Sequence, residues 1–255
     1  MNKLCYCWAW LSSLLLILLG CEQQAPVSSP INQFRLIKRI DSSATSLATT
    51  RYFYNSDNRL IQTQTQTLSY TGSNLIQTTA YRYDEQNRLI VIESQQGLAL
   101  NKRVFTYNEQ GDMVLSTDSS GFSNAIPIYT AQQQHAYRYD SHHLPYQETL
   151  TPLGTNPLQT YQYQYTYQQG NVSQVSITLP NGSTSQTTYQ YDDKPNLWYG
   201  QWGSGVMPAV FSHNNVIFDH EQLSYTPQGL ISQRETIYPT NRKLGSKISF
   251  IYETY

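Results

Sequence analysis

Residues 81–90 read Tyr81-Arg82-Tyr83-Asp84-Glu85-Gln86-Asn87-Arg88-Leu89-Ile90. Two aromatic rings stand two positions apart, a period that puts both on one face of an extended strand. Asp84 follows, a residue type that opens turns by bonding its own backbone ahead. Asn87 tolerates positive φ better than most side chains. Arg88-Leu89-Ile90 then begins a return strand. The stretch therefore reads as a hairpin whose short loop ends in a left-handed residue.

The same pattern recurs along the chain. Tyr52 to Ile61 and Phe105 to Val114 are close copies, and weaker ones begin at Tyr137, Tyr165, Tyr189 and Leu223. The second tyrosine of each copy falls at Tyr54, Tyr83, Tyr107, Tyr139, Tyr167, Tyr191, Tyr225 and Tyr252. The turn positions Asn58, Asn87, Gly111 and Gly229 are expected to have positive φ. Leu179-Pro180-Asn181-Gly182-Ser183 reads as a further hairpin, with Asn181-Gly182 suited to a type I′ turn. These units predict an all-β domain, a long antiparallel meander of about fourteen to sixteen strands. It is expected to curl into a barrel or half-barrel that does not span a membrane. A spanning barrel needs an apolar lipid face on every strand, and "LIQTQTQTL" at residues 60–68 has none.

Composition agrees. Of 255 residues, 22 are Tyr and only 13% are charged. In Tyr161, Tyr163, Tyr165 and Tyr167, with Gln and Thr between, one face is aromatic and the other wet. Tyr suits such a face because it buries a large ring while its hydroxyl keeps a polar partner. Net charge is −1, with no basic run, which argues against nucleic acid as a partner.

Residues 1–20 read as a signal peptide: Lys3, an apolar core from Trp8 to Leu19, then Gly20. Leu18-Leu19-Gly20-Cys21 resembles the lipobox of bacterial lipoproteins. That resemblance implies cleavage before Cys21 and acylation of Cys21, which would anchor the chain in a membrane of the cell envelope. Glu22, where an Asp would mark inner-membrane retention in enteric lipoproteins, points to the outer membrane. Residues 21–33 are polar with Pro and Ser, a tether, and residues 34–255 form a single domain. Cys5 and Cys7 fall in the signal peptide, so the mature domain has no disulfide and no cysteine metal site.

The repeat resembles the YD (Rhs-type) repeat, Tyr-x-Tyr-Asp followed by Gly-Arg-Leu, with Asn58 and Asn87 in place of the Gly. The C-terminal stretches Tyr191–Gly200, Phe211–Val216 and Leu223–Tyr238 resemble the ending of a group of small lipoproteins. Those carry a domain of unknown function with a porin-like fold. The resemblance covers about residues 34–255 and implies a fold and a surface lipoprotein, with no activity.

No constellation points to catalysis. His142 and His143 share a turn, no carboxylate or cysteine has ligand spacing to them, and no metal or other cofactor is expected. Asp219-His220-Glu221 reads as a solvated turn, and Asp192-Asp193 lacks the alternation of a calcium loop. The segment Lys194–Asn215 leaves the hairpin rhythm and carries Trp198, Tyr199 and Trp202. It is expected to pack over the end of the sheet, with Trp198 buried and Trp202 at a rim where a ligand stacks. The function expected is a monomeric lipid-anchored binding or scaffold module for a glycan or protein partner. The alternative is a carrier enclosing an apolar ligand.

Overall fold

The computed structural model describes residues 34–123, 127–154, 159–199, 207–238 and 244–255. Cys21 and Trp202 lie outside the described residues. The chain forms β1 (Phe34–Ser43), β2 (Ser46–Tyr54), β3 (Leu60–Ser69), β4 (Asn74–Tyr83), β5 (Leu89–Gln96), β6 (Ala99–Tyr107), β7 (Met113–Phe122), β8 (Ile128–Tyr139) and β9 (Pro145–Pro152). It continues through β10 (Tyr161–Gln168), β11 (Asn171–Thr178), β12 (Thr184–Thr188), β13 (Gln190–Pro195), α1 (Met207–Phe211), β14 (Asn214–Ile217), β15 (Glu221–Tyr225), β16 (Ile231–Ile237) and β17 (Leu244–Thr254). The described residues thus hold seventeen strands, more than expected from the hairpin count. The surplus comes from the C-terminal insert, where β13 and β14 pair only with each other.

The other fifteen strands make one antiparallel sheet. β1 to β12 follow chain order, and β17, β16 and β15 continue the sheet beyond β1. The first strand therefore pairs with the last, from Phe34 opposite Thr254 to Ser43 opposite Ser246. The ladder does not close. β12 and β15 are its two edges, so of the barrel or half-barrel expected from the sequence the closed form is not the one adopted, and the sheet is open. The physical reason lies between those edges: after β12 the chain leaves the sheet as β13, α1 and β14 before returning as β15. β12 is a suitable edge, five polar residues all exposed.

Side chains span the gap that the ladder leaves. Tyr191 Oη donates to the Val172 carbonyl at 2.6 Å, and Ser212 Oγ accepts from Val172 N at 3.0 Å. Asn171 and Asn214 bond reciprocally, at 2.9 and 3.0 Å. On the other side Asp192 accepts the hydroxyl of Tyr225. Beneath the sheet, Val210 and Phe211 of α1 pack with Phe105, Met113, Tyr137, Tyr165, Val172 and Val175. A second cluster joins Leu36, Ile231 and Phe250 with Trp198. The insert thus braces both halves of one sheet.

The turns follow from their residues. Asn58, Asn87 and Gly111 have φ of 59°, 68° and 90°, and Gly229 has 81°. In the first, Asn58 N bonds the Asn55 carbonyl and Asn55 N bonds the Arg59 carbonyl, while Asn55 Oδ1 accepts from Asp57 N and Arg59 N. This is a type I turn followed by a left-handed residue. His143 fills the same position in the fourth copy, with φ 60°. The expectation of a type I′ turn at Asn181-Gly182 is corrected. Asn181 is not among the residues with positive φ, and Gly182 N bonds the Leu179 carbonyl. Pro180, with φ fixed near −65°, seats the first central position of a type I turn. The two consecutive positive φ values of a type I′ turn occur instead at Gln169 (51°) and Gly170 (76°).

The repeated tyrosine has a repeated partner. Tyr54, Tyr83, Tyr107, Tyr139, Tyr167, Tyr191 and Tyr252 donate their hydroxyls to the carbonyls of Leu36, Leu60, Leu89, Met113, Pro145, Val172 and Ile231, at 2.6 to 2.9 Å. Five of these acceptors open a strand just after the preceding turn. Each ring therefore crosses one hairpin and caps a carbonyl of the unit before it. Burial raises the Tyr107 phenol to about 12, so the hydroxyl remains a donor throughout the physiological range.

Tyr107→Phe is expected to lower the unfolding free energy by about 1 kcal/mol, the net worth of one intramolecular hydrogen bond. Gly111→Val is expected to cost about 1–2 kcal/mol or more, because a β-branched residue resists the left-handed region. Urea unfolding checks both, with the exposed Tyr146→Phe as a variant that leaves the midpoint unchanged.

Candidate functional site

Two groups of side chains on the inner face of the sheet carry chemistry. The first is a cleft of about 950 Å³, open to solvent, between the wall made by β1 to β6 and the segment after β13. Tyr52 and Tyr81 line its depth, with Thr50 and Thr63 beside them. Tyr54, Tyr83 and Tyr107 line it nearer the turns, and Leu197, Trp198 and Tyr199 face them. Burial, partly offset by Arg39, raises the Tyr52 phenol to about 12, so it too stays a neutral donor.

The period-two pattern places these rings, and an Arg-Leu pair places a cation above two of them. Arg35, Arg59 and Arg88 each precede the leucine whose carbonyl caps the tyrosine of the next unit. At Tyr54 and Tyr107 the backbone carbonyl takes the hydroxyl while the guanidinium lies over the ring. Arg35 lies 4.8 Å from the centre of the Tyr54 ring, and Arg88 lies 4.8 Å from that of Tyr107. Arg35 is held by Glu253 at 2.6 Å and by Asn58 Oδ1 at 2.8 Å, and Arg88 by Asp84 at 2.7 Å. Among the described residues, the carboxylate that Arg59 approaches is the exposed Asp57, at 3.7 Å. Of the three it has the loosest carboxylate contact, and it lines the cleft.

The opposite wall is built around one buried amide. Asn196 donates from Nδ2 to the carbonyls of Ala209 and Ser212, the latter at 2.8 Å, and accepts from Trp198 N at 2.9 Å. This fixes the turn that carries Trp198 and Tyr199. Trp198 is half-buried, not fully buried as expected. One side of the indole packs edge-on against Phe250, centroids 6.5 Å apart, and it also lines the cleft. Tyr199 is exposed and meets His213 edge-on at 4.3 Å. Trp202, expected at the rim, falls outside the described residues.

The second group is a chain of charges across five adjacent strands. Arg103 of β6 grips Asp118 of β7 through Nε and, at 2.7 Å, through a terminal nitrogen. His135 of β8 lies with Nε2 3.6 Å from Asp118 and with Nδ1 2.6 Å from Glu148 of β9. Tyr165 of β10 donates its hydroxyl to the other oxygen of Glu148. Glu148 is only 3% exposed. A separation of 3.6 Å is too long for a hydrogen bond, so His135 Nε2 meets Asp118 through charge alone. Burial by itself would lower the imidazole pKa. The two carboxylates outweigh it and raise His135 to about 9. Asp118 is itself pushed well below the ordinary carboxylate range: burial opposes the shift, and the nearby His135 together with bonds from Arg103 and Gln133 overcomes it.

None of these five side chains lines the cleft. They form an ionic seam inside the sheet, close to the aromatic core, with His135 stacked over Tyr137 at 6.4 Å. Among the described residues no group of three metal-ligating side chains is assembled. The expectation that leaves His142 and His143 in a turn matches their position, and His143 contacts Asp112 at 3.0 Å. Asp219 and His220 are exposed in the turn before β15.

No family model matches this chain, and no curated protein matches it. Solved structures do. A porin-like protein from Bacteroides uniformis ATCC 8492 aligns over 86% of this chain and 98% of its own, at 12% identity and TM-score 0.53. One from Bacteroides vulgatus ATCC 8482 aligns over the same shares, at 14% identity and TM-score 0.52. The chain has a porin-like all-β fold. At these identities the likeness extends to the fold alone. Among the described residues no helix is long and apolar enough to cross a membrane.

The seam makes stability depend on pH. His135 has a folded pKa raised above its unfolded value of about 6.5. Its contribution is fully present below pH ~6.5 and is lost as pH rises through about 9. Urea midpoints are expected to fall between pH 7 and 9 by the equivalent of about 2–3 kcal/mol, at up to ~1.4 kcal/mol for each pH step across which folded His135 keeps its proton and the unfolded imidazole does not. His135→Gln is expected to be less stable at pH 6 and to lose that slope.

Proposed function

We propose that this protein is a binding module of the bacterial cell envelope, anchored through lipid on Cys21, and that the cleft takes an extended glycan. The observation that carries the reading is the cleft's lining. Aromatic faces on two opposing walls offer stacking surfaces for sugar rings, and arginine, asparagine and phenol groups offer donors for hydroxyl and carboxylate oxygens. The repeat makes this lining periodic. Arg35, Arg59 and Arg88 each belong to a successive two-strand unit, so their backbones are spaced by about 10 Å, twice the separation of neighbouring strands. A polymer with a regular repeat fits a periodic wall better than a compact metabolite does.

An enclosed carrier for an apolar molecule fits this site less well. The cleft opens to solvent, and guanidinium groups left in contact with an apolar ligand would lose hydration without return. Binding rather than catalysis is the reading because, among the described residues, the buried seam from Arg103 to Tyr165 lies outside the cleft.

Titration with oligomers of a uronic acid, and with the matching neutral oligomers, tests the proposal. The uronate is expected to bind more tightly. Arg59→Ala is expected to remove that preference, at about 1.5–3 kcal/mol for a charge-assisted contact, and Trp198→Ala is expected to weaken both oligomers. Absence of saturable binding by either would reject the glycan reading. The anchor is checked separately: Cys21→Ser is expected to lose an incorporated acyl label, and its retention would reject lipidation there.

A further inference from the structure

The guanidinium groups of Arg35, Arg39, Arg59 and Arg88 line the cleft, and among the described residues no carboxylate does. The acids that neutralise them come from outside the lining. Glu253 holds Arg35 at 2.6 Å, Asp41 holds Arg39 at 2.6 Å and Asp84 holds Arg88 at 2.7 Å. Arg59 is the exception. Its contact with Asp57 is 3.7 Å, too long for a hydrogen bond, and the Asp57 side chain is 61% exposed. An ion pair that open is weak, and a ligand can displace it.

The repeat shows what would complete the Arg59 site. Arg35 precedes Leu36, whose carbonyl takes the Tyr54 hydroxyl, and Asn58 stands four residues after Tyr54. Arg59, Leu60, Tyr83 and Asn87 hold the same places in the next unit. In the first unit Asn58 Oδ1 accepts from Arg35 Nη1 at 2.8 Å, and Glu253 takes the rest of the guanidinium. In the second unit, among the described residues, no carboxylate comes within hydrogen-bond reach of Arg59 and no hydrogen bond joins Arg59 to Asn87. Both line the cleft. An incoming carboxylate would fill the place that Glu253 takes in the first unit, with the Asn87 amide as a further donor.

We infer that Arg59 and Asn87 form the anion seat of the cleft, and that Asp84 and Glu253 set its selectivity by neutralising Arg88 and Arg35 on either side. The inference rests on the glycan reading above and narrows it to glycans whose carboxylates are isolated between uncharged sugars. Spacing makes the masking selective. The backbones of Arg35, Arg59 and Arg88 are separated by two strand spacings each, about 10 Å. Each sugar of an extended glycan advances by about one strand spacing. A carboxylate on Arg59 therefore places the sugars two residues to either side at Arg35 and Arg88, where the positive charge is already matched. A carboxylate there would give up water without meeting an unpaired cation. One on an adjacent sugar falls beside Tyr54 or Tyr83, which are neutral. Uncharged sugars meet no such penalty at these places.

The mask at Asp84 is separable from the turn that carries it. Asp84 Oδ1 accepts from Arg88 N at 2.8 Å, as Asn55 Oδ1 accepts from Arg59 N and Asn108 Oδ1 from Asp112 N, both also at 2.8 Å. An asparagine therefore supports the same turn in two other units. The other oxygen, Asp84 Oδ2, is the one that holds the Arg88 guanidinium.

Calorimetric titration of the purified protein with three pentasaccharides tests the inference. One is neutral, one carries a uronate at the central sugar, and one carries uronates at the first, third and fifth sugars. The single uronate is expected to bind about tenfold or more tightly than the neutral oligomer, as one charge-assisted contact does. The triple uronate is expected to bind no tighter than the single one. In Asp84→Asn, which frees Arg88, the triple uronate is expected to gain about tenfold over the single one. Glu253→Gln is expected to do the same through Arg35. Asn87→Asp gives Arg59 a carboxylate of its own and is expected to abolish the preference for the single uronate over the neutral oligomer. A triple uronate that binds the unaltered protein more tightly than the single one, or that gains from neither Asp84→Asn nor Glu253→Gln, would overturn the inference and leave the glycan reading standing. Saturable binding of none of the three would reject both.

Discussion

A phenol hydroxyl that caps the carbonyl of the preceding unit is the contact on which this structure depends. A long meander has a weakness: every strand is joined to its neighbours only by ladder bonds, and a slip of one residue would turn the whole aromatic face outward. The tyrosine resists that slip. It belongs to the end of one strand, and its acceptor is fixed just beyond the previous turn, so the ring measures register across the hairpin between them. Seven such contacts run from Tyr54 to Tyr252. The eighth tyrosine, Tyr225, has the insert on its side instead of a sheet strand, and it donates to Asp192. The insert is thereby tied into the same system.

This solution also accounts for the composition. A sheet built from Gln, Thr and Ser with few aliphatic residues has little apolar area to bury. Tyr provides ring area and a hydrogen bond from one side chain. Where the inner face must carry charge, it does so as the matched chain from Arg103 to Tyr165. A lone buried carboxylate at Glu148 would be costly, and His135 and Tyr165 together satisfy both of its oxygens. The cleft lies where the insert stands off from the first half of the sheet, so the brace that secures the open edges also makes the concave surface.

Much of the fold was legible because the repeat is local. A strand, a turn and a return strand are encoded within about ten residues, and Asn58, Asn87, Gly111 and Gly229 mark the turns. What escaped reading depends on residues far apart. The carbonyl partner of Tyr139 lies 26 residues upstream. The ionic seam takes one side chain from each of five strands. One signal was present: Arg103 and His135 each stand two residues before the inward aromatic of their strand, so the same period puts them on the buried face. The open ladder was not legible, since strand patterns do not say whether the first and last edges meet. The turn at Asn181-Gly182 departs from the type I′ expectation because Pro180 takes the first central position, and a proline there holds a negative φ.

Hydrogen exchange on Tyr83→Phe tests the central claim most directly. If the hydroxyl joins one unit to the next, amide protection should fall in two places: around Tyr83 itself, and in the turn from Asn55 to Leu60, whose carbonyl it caps. Protection lost only in the β4–β5 hairpin, or lost nowhere, would mean that the ladders hold register unaided and would contradict the account.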